Sequence, residues 1–209
     1  MSKLTNKDLD KLPMVQFEKE IVVVDTADKL QQAVEEMSSA SQLGFDTETR
    51  PSFKRGVSYS VSLLQLSVDN KAWLIRLNKI GMTKDLASLL ESKEILKIGV
   101  AIRDDIKGLQ KQLPFTPANF IDLQVVAKER GLEDFSLKKL AAHVMGVKIS
   151  KRQRLSNWEA DRLSLAQQRY AATDAWVSLQ IYKGLLAGVI EHERVVKILT
   201  EQNIQPCTE

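Results

Sequence analysis

Cysteine is almost absent from this 209-residue chain, where Cys207 stands alone. One thiol excludes a disulfide framework and a cysteine-based zinc site, and it fits a reducing compartment. Long apolar runs are missing too. No stretch approaches membrane-spanning length, and Met1 to Lys7 contains no apolar core of a signal peptide. A cytoplasmic protein without a membrane partner is therefore expected. Strong charge of either sign is lacking, the net being +3. Glycine (9) and proline (5) occur at ordinary globular levels, which excludes collagen-like and low-complexity classes. What remains is a globular chain, long enough for one domain with a sizeable core and modest extensions.

The small net charge hides an uneven distribution. Between Lys138 and Arg169, eight basic residues stand against only Glu159 and Asp161. Lys151, Arg152 and Arg154 form its densest part. A solvated helix face is the commoner origin of such a cluster, and attraction of a polyanion is the alternative.

Taken in order, residues 1–20 read as a polar N-terminal arm in which Pro13 breaks any early helix. Ile21 to Val24 is a β-branched strand, and Thr26 caps a helix with apolar positions at Leu30, Ala33, Val34 and Met37. A strand through Asp46 and Glu48 follows. Alternation at Val57, Tyr59, Val61 and Leu63 predicts another strand running to Val68. Asp69-Asn70 then turns the chain into Ala72–Ile75. A helix is expected over 83–91 and a short strand over 95–100. Beyond about residue 124 the pattern is mainly helical. Ser164-Leu165-Ala166-Gln167 matches a capping box and opens the last long helix. Antiparallel strands first, then strand–helix alternation, then helices, describe an α/β fold with a mixed central sheet flanked by helices.

Three places carry ionisable groups where the pattern does not need them. In the strand Leu43 to Thr49, Asp46 and Glu48 leave the backbone on one face. Two adjacent carboxylates repel and resist burial unless a cation lies between them, and oxygen ligands suit Mg²⁺ or Mn²⁺. The plain alternative is the exposed end of a strand. In the last helix, Asp174 interrupts an apolar stripe (Val177, Ile181, Leu185) and Tyr170 precedes it by one turn. A hydrogen bond that shores up the core would explain that pair equally well. Between them, Gly99 to Asp105 runs from a strand end into a helix start with paired Asp104 and Asp105. Helix capping competes with a site role for either aspartate.

Phe45-Asp46-Thr47-Glu48, Gly99-Val100-x-Ile102-x-x-Asp105 and Tyr170-Ala171-Ala172-Thr173-Asp174 occur in that order. Together they resemble the three motifs of the DEDD exonuclease superfamily, in its tyrosine-bearing subfamily. Werner-type exonuclease domains are the nearer likeness and RNase D the more distant one. The likeness runs from about Ile21 to Leu186 and includes Ser136-Leu137-x-x-Leu140 and Lys151-x-x-Arg154-x-x-Asn157-Trp158. Arg169 stands five before Asp174, so the histidine variant does not fit.

The resemblance implies an RNase H-like fold over 21–186, with 187–209 as a C-terminal extension. It implies 3′→5′ hydrolysis of DNA or RNA at a free 3′ end. Asp46, Glu48, Asp105 and Asp174 would hold two divalent ions, Mg²⁺ or Mn²⁺, with Asp104 as a rival for Asp105. The ions would help generate hydroxide, stabilise the leaving 3′ oxygen and neutralise the scissile phosphate. Tyr170 would orient the attacking water. Lys151 and Arg154, with Arg152 beside them, would grip phosphates without reading bases. The loop with Arg50, Phe53, Lys54 and Arg55 would lie near the terminal nucleotide. The competing reading is a catalytically inactive nucleic-acid-binding module of the same fold. A third is an interaction domain whose basic stretch serves a protein partner.

Overall fold

A computed structural model of the chain describes residues 4–188; from residue 189 on, the expected C-terminal extension lies outside the described residues. Six strands form one mixed sheet: β1 (Glu20–Val24), β2 (Gln42–Thr49), β3 (Val61–Ser67), β4 (Lys71–Ile75), β5 (Leu96–Gly99) and β6 (Phe120–Asp122). Their spatial order is β1-β4-β3-β2-β5-β6. The two hairpin contacts β2–β3 and β3–β4 are antiparallel, while β1–β4, β2–β5 and β5–β6 are parallel. The helices are α1 (Asn6–Lys11), α2 (Ala27–Ser38), α3 (Leu77–Ile80), α4 (Lys84–Glu91), α5 (Arg103–Gln110), α6 (Leu123–Glu129), α7 (Leu137–Met145) and α8 (Leu165–Leu186). None of the described helices is long and apolar enough to cross a membrane.

Both faces of the sheet are covered. On one, Phe45, Leu64 and Leu66 meet Leu30, Met37, Leu86, Leu90 and Leu109 of α2, α4 and α5. On the other, Leu63 and Leu74 meet Ala171 and Ala172 of α8, while α6 and α7 pack around the far half of that helix. Helix α8 starts where the sequence says it should. Ser164 accepts from the Gln167 N–H, and the Gln167 side chain accepts from the Ser164 N–H. Thr26 and Thr83 cap α2 and α4 in the same sense. The helix lies against β2 at Gly44, where a Cβ would stand 2.0 Å from the Ala175 carbonyl oxygen. Gly99 is equally hemmed in, because a Cβ there would meet Ile102 at 2.5 Å and the Phe45 carbonyl oxygen at 2.7 Å. These close approaches bring α8 and the β5–α5 turn up to the strand that carries Asp46.

Two expectations need correction. Strand β3 begins at Val61, and all seven of its residues are buried; Val57 and Tyr59 lie in the preceding loop. A strand covered on both faces has no reason to alternate, so the alternation at 57–63 belonged to no single element. The N-terminal segment is not a polar arm. A helix forms before Pro13, closed by a Thr5–Asp8 capping box, and Leu9 and Leu12 pack with Leu4 against Ala142. Downstream, Pro13 and Val15 exchange backbone hydrogen bonds with Lys148, both 2.9 Å long. The buried Phe17 donates its N–H to the Thr173 hydroxyl of α8 at 2.9 Å.

Candidate active site

Strand β2 presents Gly44, Asp46 and Glu48 towards α8, and α8 answers with Asp174, which is only 6 % exposed. One carboxylate oxygen from each of Asp46, Glu48 and Asp174 lies within 4.8 Å of the others. Burial and mutual repulsion then act together. Asp46 is raised well above the usual carboxylate range by burial, then by Asp174 and Asp105. Glu48 is pushed up to about 10 by burial, then by Asp46, Asp174 and Asp105, against a downward pull from Arg154. Burial lifts Asp174 to about 7, opposed by a hydrogen bond from Tyr170 and by the charge of Lys151.

Asp105 stands slightly apart. It is outside the 4.8 Å group, although its charge raises both Asp46 and Glu48. Its Oδ1 accepts a short hydrogen bond from the Thr47 hydroxyl, which partly offsets the upward push of its own burial. Thr47 points to the opposite face of β2 from Asp46, so Asp105 approaches the cluster around the edge of the strand. Asp104 faces solvent, 92 % exposed, and pairs with Lys107 at 3.6 Å. Of the two aspartates, Asp105 is the one whose charge reaches Asp46 and Glu48. The capping role weighed for this pair does not occur: Ile102 is the N-cap, and no side chain caps α5.

The basic stretch divides. Lys139 pairs with Asp134 at 2.5 Å, and Lys148 donates to the Asp10 carbonyl oxygen, so both serve the fold. Lys151 and Arg154 act electrostatically on Asp174 and Glu48. Arg152 lines a cleft of about 440 Å³ with Gln153, Arg169, Tyr170 and Asp174, and Met14 to Gln16 form its far wall. In the loop after β2, Arg50 stacks 4.7 Å above the Tyr59 ring and bridges Glu159 at 3.1 Å. Phe53 is 83 % exposed, flanked by exposed Lys54 and Arg55. Sequence reasoning passed over Thr47, the unassigned middle residue of its own D-x-E motif. It also missed Arg76, almost fully buried, which donates to the carbonyls of Ala160 and Asp161 and ties the segment before α8 to the sheet.

These residues fit a divalent cation. The donors are all carboxylate oxygens, the set that hard Mg²⁺ and Mn²⁺ take. Buried Asp174 Oδ1 has no hydrogen-bond partner, and the charges nearest the cluster, Lys151 and Arg154, only partly offset its repulsion. A cation supplies what both lack.

Without a cation, stability depends on pH in a definite direction. Glu48 and Asp174 hold protons in the folded chain at pH values where the unfolded chain has lost them. Stability therefore falls as pH rises from the unfolded carboxylate pKa of about 4. The fall runs through about 7 for Asp174 and on towards about 10 for Glu48. In chelator, Tm is expected to drop between pH 5 and pH 8, and saturating Mg²⁺ should flatten or reverse the drop because it binds the ionised forms. Thermal melts across that range, with and without the ion, check this; a chelated protein that gains stability over it would contradict the buried cluster.

The four carboxylates, Tyr170 and the basic stretch fall within a match to the family model described as 3′-5′ exonuclease, over residues 21–190, and Met14 to Gln16 lie before it. The bifunctional 3′-5′ exonuclease/ATP-dependent helicase WRN of Mus musculus is 34 % identical over 186 residues, which cover 84 % of this chain and 13 % of that protein. A 3′-5′ exonuclease of Arabidopsis thaliana is 32 % identical over 154 residues, 71 % of this chain and 54 % of the relative. The chain thus spans about half or less of the length of these curated relatives. The crystal structure of the Aedes aegypti Nibbler EXO domain superposes with a TM-score of 0.75 at 24 % identity, covering 88 % of this chain and 99 % of that one, a likeness of fold. By sequence match, the chain belongs to the 3′-5′ exonuclease family.

Proposed function

We propose that the chain is a metal-dependent exonuclease of the tyrosine-bearing DEDD kind, removing nucleotides one at a time from a free 3′ end of DNA or RNA in the cytoplasm. The observation that carries this is the convergence of Asp46, Glu48 and Asp174 with Asp105 beside them, all pushed towards protonation and faced by Lys151 and Arg154. Family membership gives the reaction class, and the lone Cys207 suits the reducing compartment.

Two divalent ions, Mg²⁺ or Mn²⁺, held by those four carboxylates would supply an activated water and neutralise charge on the phosphate and the departing 3′ oxygen. The protein's own groups do the rest. Thr47 holds Asp105 at the edge of the cluster. Burial and the neighbouring carboxylates push the Tyr170 phenol far above its ordinary value, so it stays protonated and cannot serve as a base. Its hydroxyl donates to Asp174 and is placed to orient a water there. Lys151 and Arg154, exposed and acting on Asp174 and Glu48, would serve as phosphate anchors, and Arg152 lines the adjoining cleft. Phosphate contacts carry no base information, so these three would tolerate sequence.

Tyr170 and the rim cations should fail in different ways. Tyr170→Phe keeps the ring, so oligonucleotide affinity holds while single-turnover hydrolysis slows by about 10–10³-fold. Lys151→Ala and Arg154→Ala weaken binding instead. Each should flatten the dependence of log K on log salt by about 0.7 for a single strand. Binding of an uncleavable oligonucleotide at several salt concentrations, beside rates on matched DNA and RNA, tests the reading and assigns the preferred sugar. A wild-type rate for Tyr170→Phe with unchanged salt slopes would leave all three residues as ordinary structure.

A further inference from the structure

One buried polar residue that the reaction above does not use is Gln65. It sits in the middle of β3, fully buried, in a strand otherwise read as Val-Ser-Leu-Leu-x-Leu-Ser. Neither its Nε2 nor its Oε1 has a hydrogen-bond partner. More than nine in ten buried polar groups in folded proteins are paired, so both ends of one amide left bare demand an explanation. The sheet register supplies one, because Gln65 lies directly opposite Asp46 on the neighbouring antiparallel strand. Directly opposed residues share a face, with Cβ atoms about 4.5–5.5 Å apart. That face is the one covered by α8: Leu63 and Ser67, two positions either side, touch α8 residues and the Gly44 position respectively.

We infer that Gln65 is a positioning residue for the ion site, its amide N–H donating to the ionised Asp46 carboxylate once a divalent cation is bound. The inference rests on the ion-dependent reading above. A carboxylate that ligates an ion through one oxygen needs a donor at the other, and such outer partners commonly set affinity by about 10–100-fold. Gln65 meets that need by position: its unpaired amide lies across the ladder from Asp46. Ser67 makes a natural comparison. Its hydroxyl is equally buried and unpartnered, but it opposes Gly44 and no carboxylate.

The test compares wild type, Gln65→Met and Ser67→Ala by calorimetric titration with Mg²⁺ or Mn²⁺ and by thermal melts in chelator. Methionine keeps the volume and removes a bare buried amide, so the chelated Tm of Gln65→Met should hold or rise. Its ion affinity should nevertheless fall about tenfold, while Ser67→Ala binds as wild type does. Unchanged affinity in Gln65→Met, whatever its Tm, would overturn the inference and leave the ion site intact. Failure of the wild type to take up either ion would overturn the ion reading itself. Should Gln65→Met not fold, the wild-type side-chain amide reports directly. Its proton resonances should shift and exchange more slowly as Mg²⁺ is added, and resonances indifferent to the ion would count against the proposal.

Discussion

Asp46→Ala is expected to abolish hydrolysis while the fold survives, with an unloaded protein at least as stable as wild type. Among the neighbouring charges, that of Asp46 heads the upward pressure on Glu48. Removing it relieves repulsion in a site where burial already disfavours every charge. The same change removes one of the three carboxylates whose oxygens lie within 4.8 Å of one another, so on the proposed reading the ion loses a ligand. A loss of about 10³-fold or more in rate is expected, the scale of removing one preorganised group that stabilises transition-state charge. Linkage gives a second readout. An ion at about 100 times its Kd adds about 2.7 kcal/mol to wild type, and Asp46→Ala should gain only a small part of that. Asp174→Ala should behave alike. A variant that turns over normally, or that is stabilised by Mg²⁺ as wild type is, would exclude Asp46 from the site.

Asp105→Asn should cost at least about a hundredfold in rate, against a change within about twofold for Asp104→Asn. The two carboxyls are neighbours in sequence and differ in everything else. Asp105 is half-buried, bonded to Thr47 and close enough to raise Asp46 and Glu48. Asp104 holds a solvent-facing pair with Lys107 that contributes under about 1 kcal/mol. Rates and melts of both variants decide the matter, and a dead Asp104→Asn beside a competent Asp105→Asn would reverse the assignment.

The acidic cluster left a signal because burying charge is expensive, but each carboxylate had a plain structural alternative, and it was the ordered motifs of the family resemblance that joined them. Asp174 interrupts an apolar helix stripe, and Asp46 and Glu48 share one face of a strand in a sheet covered on both sides. The capping box of α8 and the turn at Asp69-Asn70 rest on local hydrogen bonds, so sequence reached them as well. Long-range pairings were harder to see. Nothing local in Pro13 or Val15 announces the bonds to Lys148 that fasten the N-terminal segment to the domain. The bridge of Arg50 to Glu159 joins residues 109 apart, and no periodicity records it. Strand β3 was misread at its start because a strand buried on both faces carries no alternation to detect. Gln65 did leave a signal, a lone amide in an apolar strand, whose meaning depends on the register that sets it opposite Asp46.

The most direct test of the central claim follows a 5′-labelled oligonucleotide with a free 3′ hydroxyl through digestion by the purified chain, in Mg²⁺ or Mn²⁺ and in chelator. A site built from Asp46, Glu48, Asp105 and Asp174 should give a ladder that shortens from full length by single nucleotides. The ladder should need the ion and should disappear with Asp46→Ala. A ladder that persists in chelator, or internal cuts that ignore the 3′ end, would contradict it.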